Sequence, residues 1–219
     1  MTQKARHQHT SPAAGIAVAG IDVGGEQKGF HAVKLTEGQY VSSFSTRNAK
    51  EMSRWCSGDL QVQVIAVDAP CRWGKDGRSR PAERALMQER ISCFSTPTRE
   101  QAVAHRTNNY GWMLRGEELF RELEGDFQIC RELPRQGQKC CFETYPHAIT
   151  WNPRGGNADA SRKWEQRREL LAQAGVALTN LTSIDLVDAA LCALVAYHAA
   201  TGKACKSYGE PDTGLIIVP

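Results

Sequence analysis

The chain has no strong excess of charge of either sign. Its 27 lysines and arginines face 24 aspartates and glutamates over 219 residues, a formal net charge of +3. That balance excludes a generally cationic surface, so any basic face for nucleic acid has to be local. Nor is there a C-x-x-C pair among the eight cysteines. Cys140 and Cys141 are adjacent, and on a strand they point to opposite faces. The spacing argues against a structural zinc site. A chain of this length needs no disulfides to hold a core. Residues 1–14 are polar and lack the apolar core of a leader, so the thiols are expected to be reduced and the protein cytoplasmic. Long hydrophobic runs are missing as well. The most apolar segment, DAALCALVAYHAA, is too short for a bilayer and begins with an acid, so no membrane contact is expected. Internal repeats and low-complexity tracts are absent, which sets aside solenoids and fibres.

What remains reads as one α/β domain over 15–219, preceded by a disordered tail at 1–14 whose His7 and His9 are read as solvated. IAVAGIDV (16–23) is a continuous apolar run, the mark of a strand covered on both faces. FHAVKL (30–35) and YVSSFS (40–45) follow closely, with Glu37-Gly38 as the turn between them. Residues 47–57 have weak helical character. QVQVIAVDAP (61–70) is a β-branched run that must end at its proline, which cannot donate to a ladder. From about 71 to 138 no central strand is evident. RPAERALMQERI and GWMLRGEELFRELEG are helical, and the polar SCFSTPTREQAVAHRTNNYG between them has the length of a lid or binding loop. This region reads as an inserted helical and loop subdomain. KCCFETYPHAI then gives a short strand broken at Pro146. Two helices follow, ADASRKWEQRRELLAQAG and SIDLVDAALCALVAYHAATG, and TGLIIVP closes the chain as a strand. Three antiparallel strands, a crossover helix and then parallel strands resemble the ribonuclease H-like mixed sheet flanked by helices.

The acids fall at telling places in this order. Asp22 ends the first strand and Asp68 the fourth. If those strands are parallel neighbours, both carboxylates emerge at the sheet edge where open α/β sheets bind ligands. Glu143 joins them if the fifth strand is parallel too. Asp185 and Asp188 stand three apart at the start of an apolar helix and share a face. Gathered carboxylates repel one another and resist desolvation. Magnesium or manganese, which favour oxygen ligands, would compensate them. Two such ions about 4 Å apart can drive phosphodiester hydrolysis. Taken singly, each acid also fits a structural part, such as Asp185 against its helix dipole.

The segment GIDVGGEQKGFHAV resembles the opening of Holliday-junction resolvases and related ribonuclease H-like nucleases, and DLVDAALCALVA is similar to their closing D-x-x-D-A helix. More of the chain resembles the "domain of unknown function 429" family, regarded as nucleases of that fold. The matching pieces are VIAVDAPCRW, GRSRPAERALM, SCFSTPTR, YGWML, CFETYPHAI and GLIIVP together with the two above. The resemblance implies a nuclease acting on DNA or RNA with Mg2+ or Mn2+. It puts Asp22, Asp68 and Asp188 as metal ligands, Asp185 as a second helical acid, and Glu143 as a further catalytic acid that resolvases do not require. Where resolvases commonly have a glutamate, this chain has the shorter Asp68.

Next to Asp68 the sequence turns basic. Arg72, Lys75, Arg78, Arg80 and Arg84 face only Asp76 and Glu83, and STPTR adds Thr98 and Arg99. Such groups hold phosphate oxygens, so Arg72, Arg78, Arg80, Arg84, Thr98 and Arg99 are candidate substrate contacts. His147 is placed near Glu143 for substrate binding or proton transfer, and fits a satisfied structural histidine equally well. Trp73, Trp112 and Trp151 are read as packing residues before base-stacking ones. Three rival functions stay open: a non-catalytic scaffold for nucleic acid or protein, an actin-like or sugar-kinase-like phosphotransferase in which the GIDVGG amides hold nucleotide phosphates, and hydrolysis of a small phosphoester or nucleotide by the same metal chemistry. Against the second, Asp68 is followed by Ala69-Pro70 in place of a glycine loop. The oligomeric state is not legible.

Overall fold

Ala17–Val23 forms strand β1, buried along its length as a doubly covered strand should be. The computed structural model describes residues 15–58 and 61–219; the tail with His7 and His9 lies outside them. Strands β2 (Phe30–Thr36) and β3 (Gln39–Thr46) continue antiparallel. The connecting Glu37 and Gly38 have φ of 50° and 74°, the left-handed pair whose twist suits a two-residue hairpin. Helix α1 (Ala49–Ser57) starts at Asn48, whose side chain accepts the Glu51 N–H. It leads into β4 (Val64–Asp68), parallel to β1. Helices α2 (Pro81–Gln88), α3 (Arg99–Val103) and α4 (Gly111–Leu123) and the two-residue strand β5 (Gln128–Ile129) fill the stretch before β6 (Cys140–Glu143). Pro146 ends the strand run and opens α5 (Pro146–Trp151), as its fixed φ allows at a first helical position. Helices α6 (Lys163–Gln173) and α7 (Ile184–Thr201) and strands β7 (Lys206–Glu210) and β8 (Gly214–Val218) complete the chain.

The sheet order is β3-β2-β1-β4-β6-β8-β7, with β5 beside β6. β1, β4, β6 and β8 are parallel, while β2 and β7 run against their neighbours. Three antiparallel strands followed outward from β1 by parallel ones make the ribonuclease H-like mixed sheet that the sequence leads one to expect. Strand β7 is an addition. In KSYGE only Tyr208 is buried, so this edge strand has no alternating pattern to announce it.

Helices α2, α5, α6 and α7 cover one face of the sheet, and α1 and α4 cover the other. Helix α7 has 18 residues, long and apolar enough by length and composition to cross a membrane, which corrects the shorter span read from sequence. Its apolarity is accounted for by the sheet: 67% of the helix is buried, against β1, β2 and β4. The approach is close at one point. A Cβ on Gly20 would fall 2.0 Å from the Ala193 nitrogen and 2.1 Å from the Ala189 oxygen. Only glycine lets the helix backbone rest there.

Candidate active site

That contact sets the site. Gly20 and Asp22 are two apart on β1 and share a face. With Ala189 and Ala193 seated over Gly20, the preceding turn of α7 brings Asp185 and Asp188 toward Asp22. Parallel pairing puts Asp22 in register with Asp68, and adjacent strands lie about 4.8 Å apart. All four aspartates line one open cleft of about 430 Å³.

The cleft is short of compensating charge. Asp22 is 9% exposed, and burial, then Asp188 and Asp185, push its carboxyl up to about 8. Burial, then Asp22 and Asp188, hold Asp68 well above the usual carboxylate range. Among the described residues, neither carboxylate accepts a hydrogen bond. The helical acids are better served. Asp188 is raised by burial but opposed by Arg167, which bonds its Oδ1. Lys28 Nζ donates to Asp185 Oδ1 at 2.9 Å. No group of three or more His, Cys, Asp or Glu side chains stands ready-gathered as a metal cage among the described residues.

The family model described as "Protein of unknown function (DUF429)" matches residues 20–213. The chain belongs to the DUF429 family. Among solved structures it is similar to "Thermus thermophilus RuvC structure", with 17% identity over 86% of this chain and 98% of that one and a TM-score of 0.44. No curated protein matches it.

Two residues singled out from sequence are occupied elsewhere in this DUF429 chain. Glu143 does end a parallel strand, but it is 4% exposed and its carboxylate is taken. Arg80 donates to both its oxygens at 2.8 and 2.6 Å, and the Cys71 N–H donates at 2.9 Å. Arg80, 3% exposed, also pairs with Glu83 Oε1 at 2.8 Å, and Glu83 accepts the Thr96 N–H. Glu143 is thus held by Arg80 in the recess it shares with Asp68, beside the cleft lining and not in it, and Arg80 is not free for phosphate. Both belong to a buried network that ties the segment after β4 to the sheet.

The other basic candidates lie away from the cleft lining. Arg72 lines a separate recess with Trp73 and Arg121. Arg84 bonds the Ser79 carbonyl, and Arg99 Nε bonds Glu117 at 3.0 Å. Thr98 caps α3. Lys75 and Arg78 are exposed on the same segment. Trp73 donates to Glu117, while Trp112 and Trp151 are half-buried. His147 does line the cleft; burial, then Arg167, keep it below the usual histidine range. The cations found there instead are Lys28, Lys163 and Arg167. A sequence signal existed for two of them, since Lys163 and Arg167 stand four apart on one helix face.

Proposed function

We propose that this DUF429 protein is a metal-dependent phosphodiesterase acting on DNA or RNA. The observation that carries the reading is the pair Asp22 and Asp68: adjoining carboxylates, one almost fully buried, with no hydrogen-bond donor among the described residues. Without a cation such a pair keeps its protons at neutral pH, and a bound cation is what lets both carboxylates be charged there. An all-oxygen donor set suits Mg2+ or Mn2+, so the residues fit the group: Asp22, Asp68 and the second oxygen of Asp188 would hold it. When bound, such a cation stabilises charge on a phosphoryl oxygen and makes water a better nucleophile.

The chain's own residues do the rest. Arg167 bonds one oxygen of Asp188 and leaves the other without a hydrogen-bond partner among the described residues. Lys28, Lys163 and His147 stand along the lining, where an anionic strand would meet them. The phosphotransferase reading is disfavoured by the glycine turn itself. Gly24 N–H donates to the Gly29 carbonyl at 2.8 Å, and Lys28 and Gly29 N–H donate to the Gly25 carbonyl at 3.1 and 2.9 Å, so three of the turn's amides are spent within it.

The test is cleavage of labelled DNA and RNA oligonucleotides, single-stranded and duplex, with Mn2+. Asp22→Asn and Asp68→Asn are each expected to lower the rate at least about 100-fold, the scale of removing one transition-state charge stabiliser. Wild-type rates in either variant would overturn the assignment.

A further inference from the structure

The two helical acids of the cleft are satisfied to different degrees. Among the described residues Asp188 keeps one oxygen without a hydrogen-bond partner. Asp185 has a cationic or titratable partner at each. Lys28 Nζ lies 2.9 Å from Oδ1, and His31 Nε2 lies 3.9 Å from Oδ2. His31 is itself held from behind, its Nδ1 2.9 Å from Ser45 Oγ. Its strand position pairs with Asp22, so the imidazole stands beside the cleft.

Lys28 is presented by a built turn. Three backbone hydrogen bonds, one of them from the Lys28 N–H itself, close the glycine turn, and Gly29 at φ 76° makes the return into β2. The side chain remains 61% exposed and lines the cleft. An ammonium has three N–H groups. Asp185 takes one, which leaves two for an anion.

We propose that Lys28 contacts a phosphate of the substrate backbone, and that Asp185 is the positioning residue that aims it and not a cation ligand. This rests on the nucleic-acid reading above and divides the helical pair: Asp188 serves the cation, Asp185 serves the strand. Lys28 is largely in solvent and Asp185 partly so, and an ion pair of that kind adds little to stability, so variants at either position keep the fold and report on binding.

The experiment has two arms. Anisotropy of a labelled single-stranded oligonucleotide, over a range of salt without divalent metal, reads the phosphate contact; calorimetric titration with Mn2+ alone reads the cation site. Lys28→Met is expected to weaken oligonucleotide binding about 10-fold, the scale of a charged hydrogen bond, and to reduce the salt slope by about 0.7. Lys28→Arg recovers most of both. Asp185→Asn moves oligonucleotide affinity in the same direction and leaves Mn2+ affinity at the wild-type value, whereas Asp188→Asn loses it. The proposal is overturned if Asp185→Asn loses Mn2+ as Asp188→Asn does, or if Lys28→Met leaves affinity and salt slope unchanged. Lys28-dependent binding with no cleavage of any substrate would sink the nuclease reading and leave this contact standing. A wild-type protein that binds no oligonucleotide overturns both.

Discussion

Asp22 is buried and has no hydrogen-bond partner among the described residues, so charging it works against the fold until a cation arrives. The direction with pH follows. Below the usual carboxylate range the group is protonated whether the chain is folded or not, and it contributes nothing to pH dependence. As pH rises from there to about 8, the unfolded chain releases the proton while the folded chain keeps it, and stability falls. Asp68 is shifted the same way. The metal-free protein is therefore expected to melt lower at pH 8 than at about pH 5. Asp22→Asn should flatten that slope and stabilise the metal-free fold at pH 8 by more than about 1.4 kcal/mol, the worth of one pKa unit. Thermal melts in chelator across this range check it. An unchanged slope in the variant would mean that Asp22 is not the strained acid.

At the scale of elements, two contacts hold the parts that matter. One is the seat of α7 on Gly20. Gly20→Ala drives a methyl into helix backbone, and overpacking of that kind costs about 3 kcal/mol or more. Urea unfolding should show the loss, and a near-neutral change would mean that the helix does not need this seat. The other is the Arg80–Glu143 pair. Removing one partner of a buried ion pair costs about 3–5 kcal/mol, so Glu143→Gln is expected to lower the unfolding midpoint sharply while leaving Mn2+ affinity intact. A variant that stays stable but binds Mn2+ weakly would restore Glu143 to the cleft. These contacts also show what the sequence made legible. The first four strands and the long helices are readable because burial imprints period and length on them. KSYGE is not, since an edge strand with one buried residue leaves no pattern. The burial of Arg80 is a tertiary fact, although Glu83 three residues on has the spacing of a capping box; a loop rich in arginine otherwise looks solvated.

For the molecule as a whole, the cleft exists only when distant pieces of chain meet. Strand-end acids could be anticipated at one edge because parallel strands bring like ends together. The pairing of Lys28 with Asp185 could not: they are 157 residues apart in sequence, and nothing local to either names the other. The same dispersion makes the site a property of the folded state alone. A cation held there binds the native chain and not the unfolded one, and mass action then adds about 2.7 kcal/mol at a hundredfold excess over Kd. For a domain of this size each kcal/mol moves Tm by about 2–4 °C. Mn2+ is thus expected to raise the Tm of the wild-type protein by about 5–10 °C at that excess. Asp68→Asn should abolish the rise, and Lys28→Met should retain it, since an ammonium contributes nothing to holding a cation. Differential scanning fluorimetry with and without chelator measures all three. A wild-type protein whose Tm ignores Mn2+ and Mg2+ alike would show that the bare carboxylates of β1 and β4 are stabilised in some way other than by a metal, and the phosphodiesterase reading would fall with them.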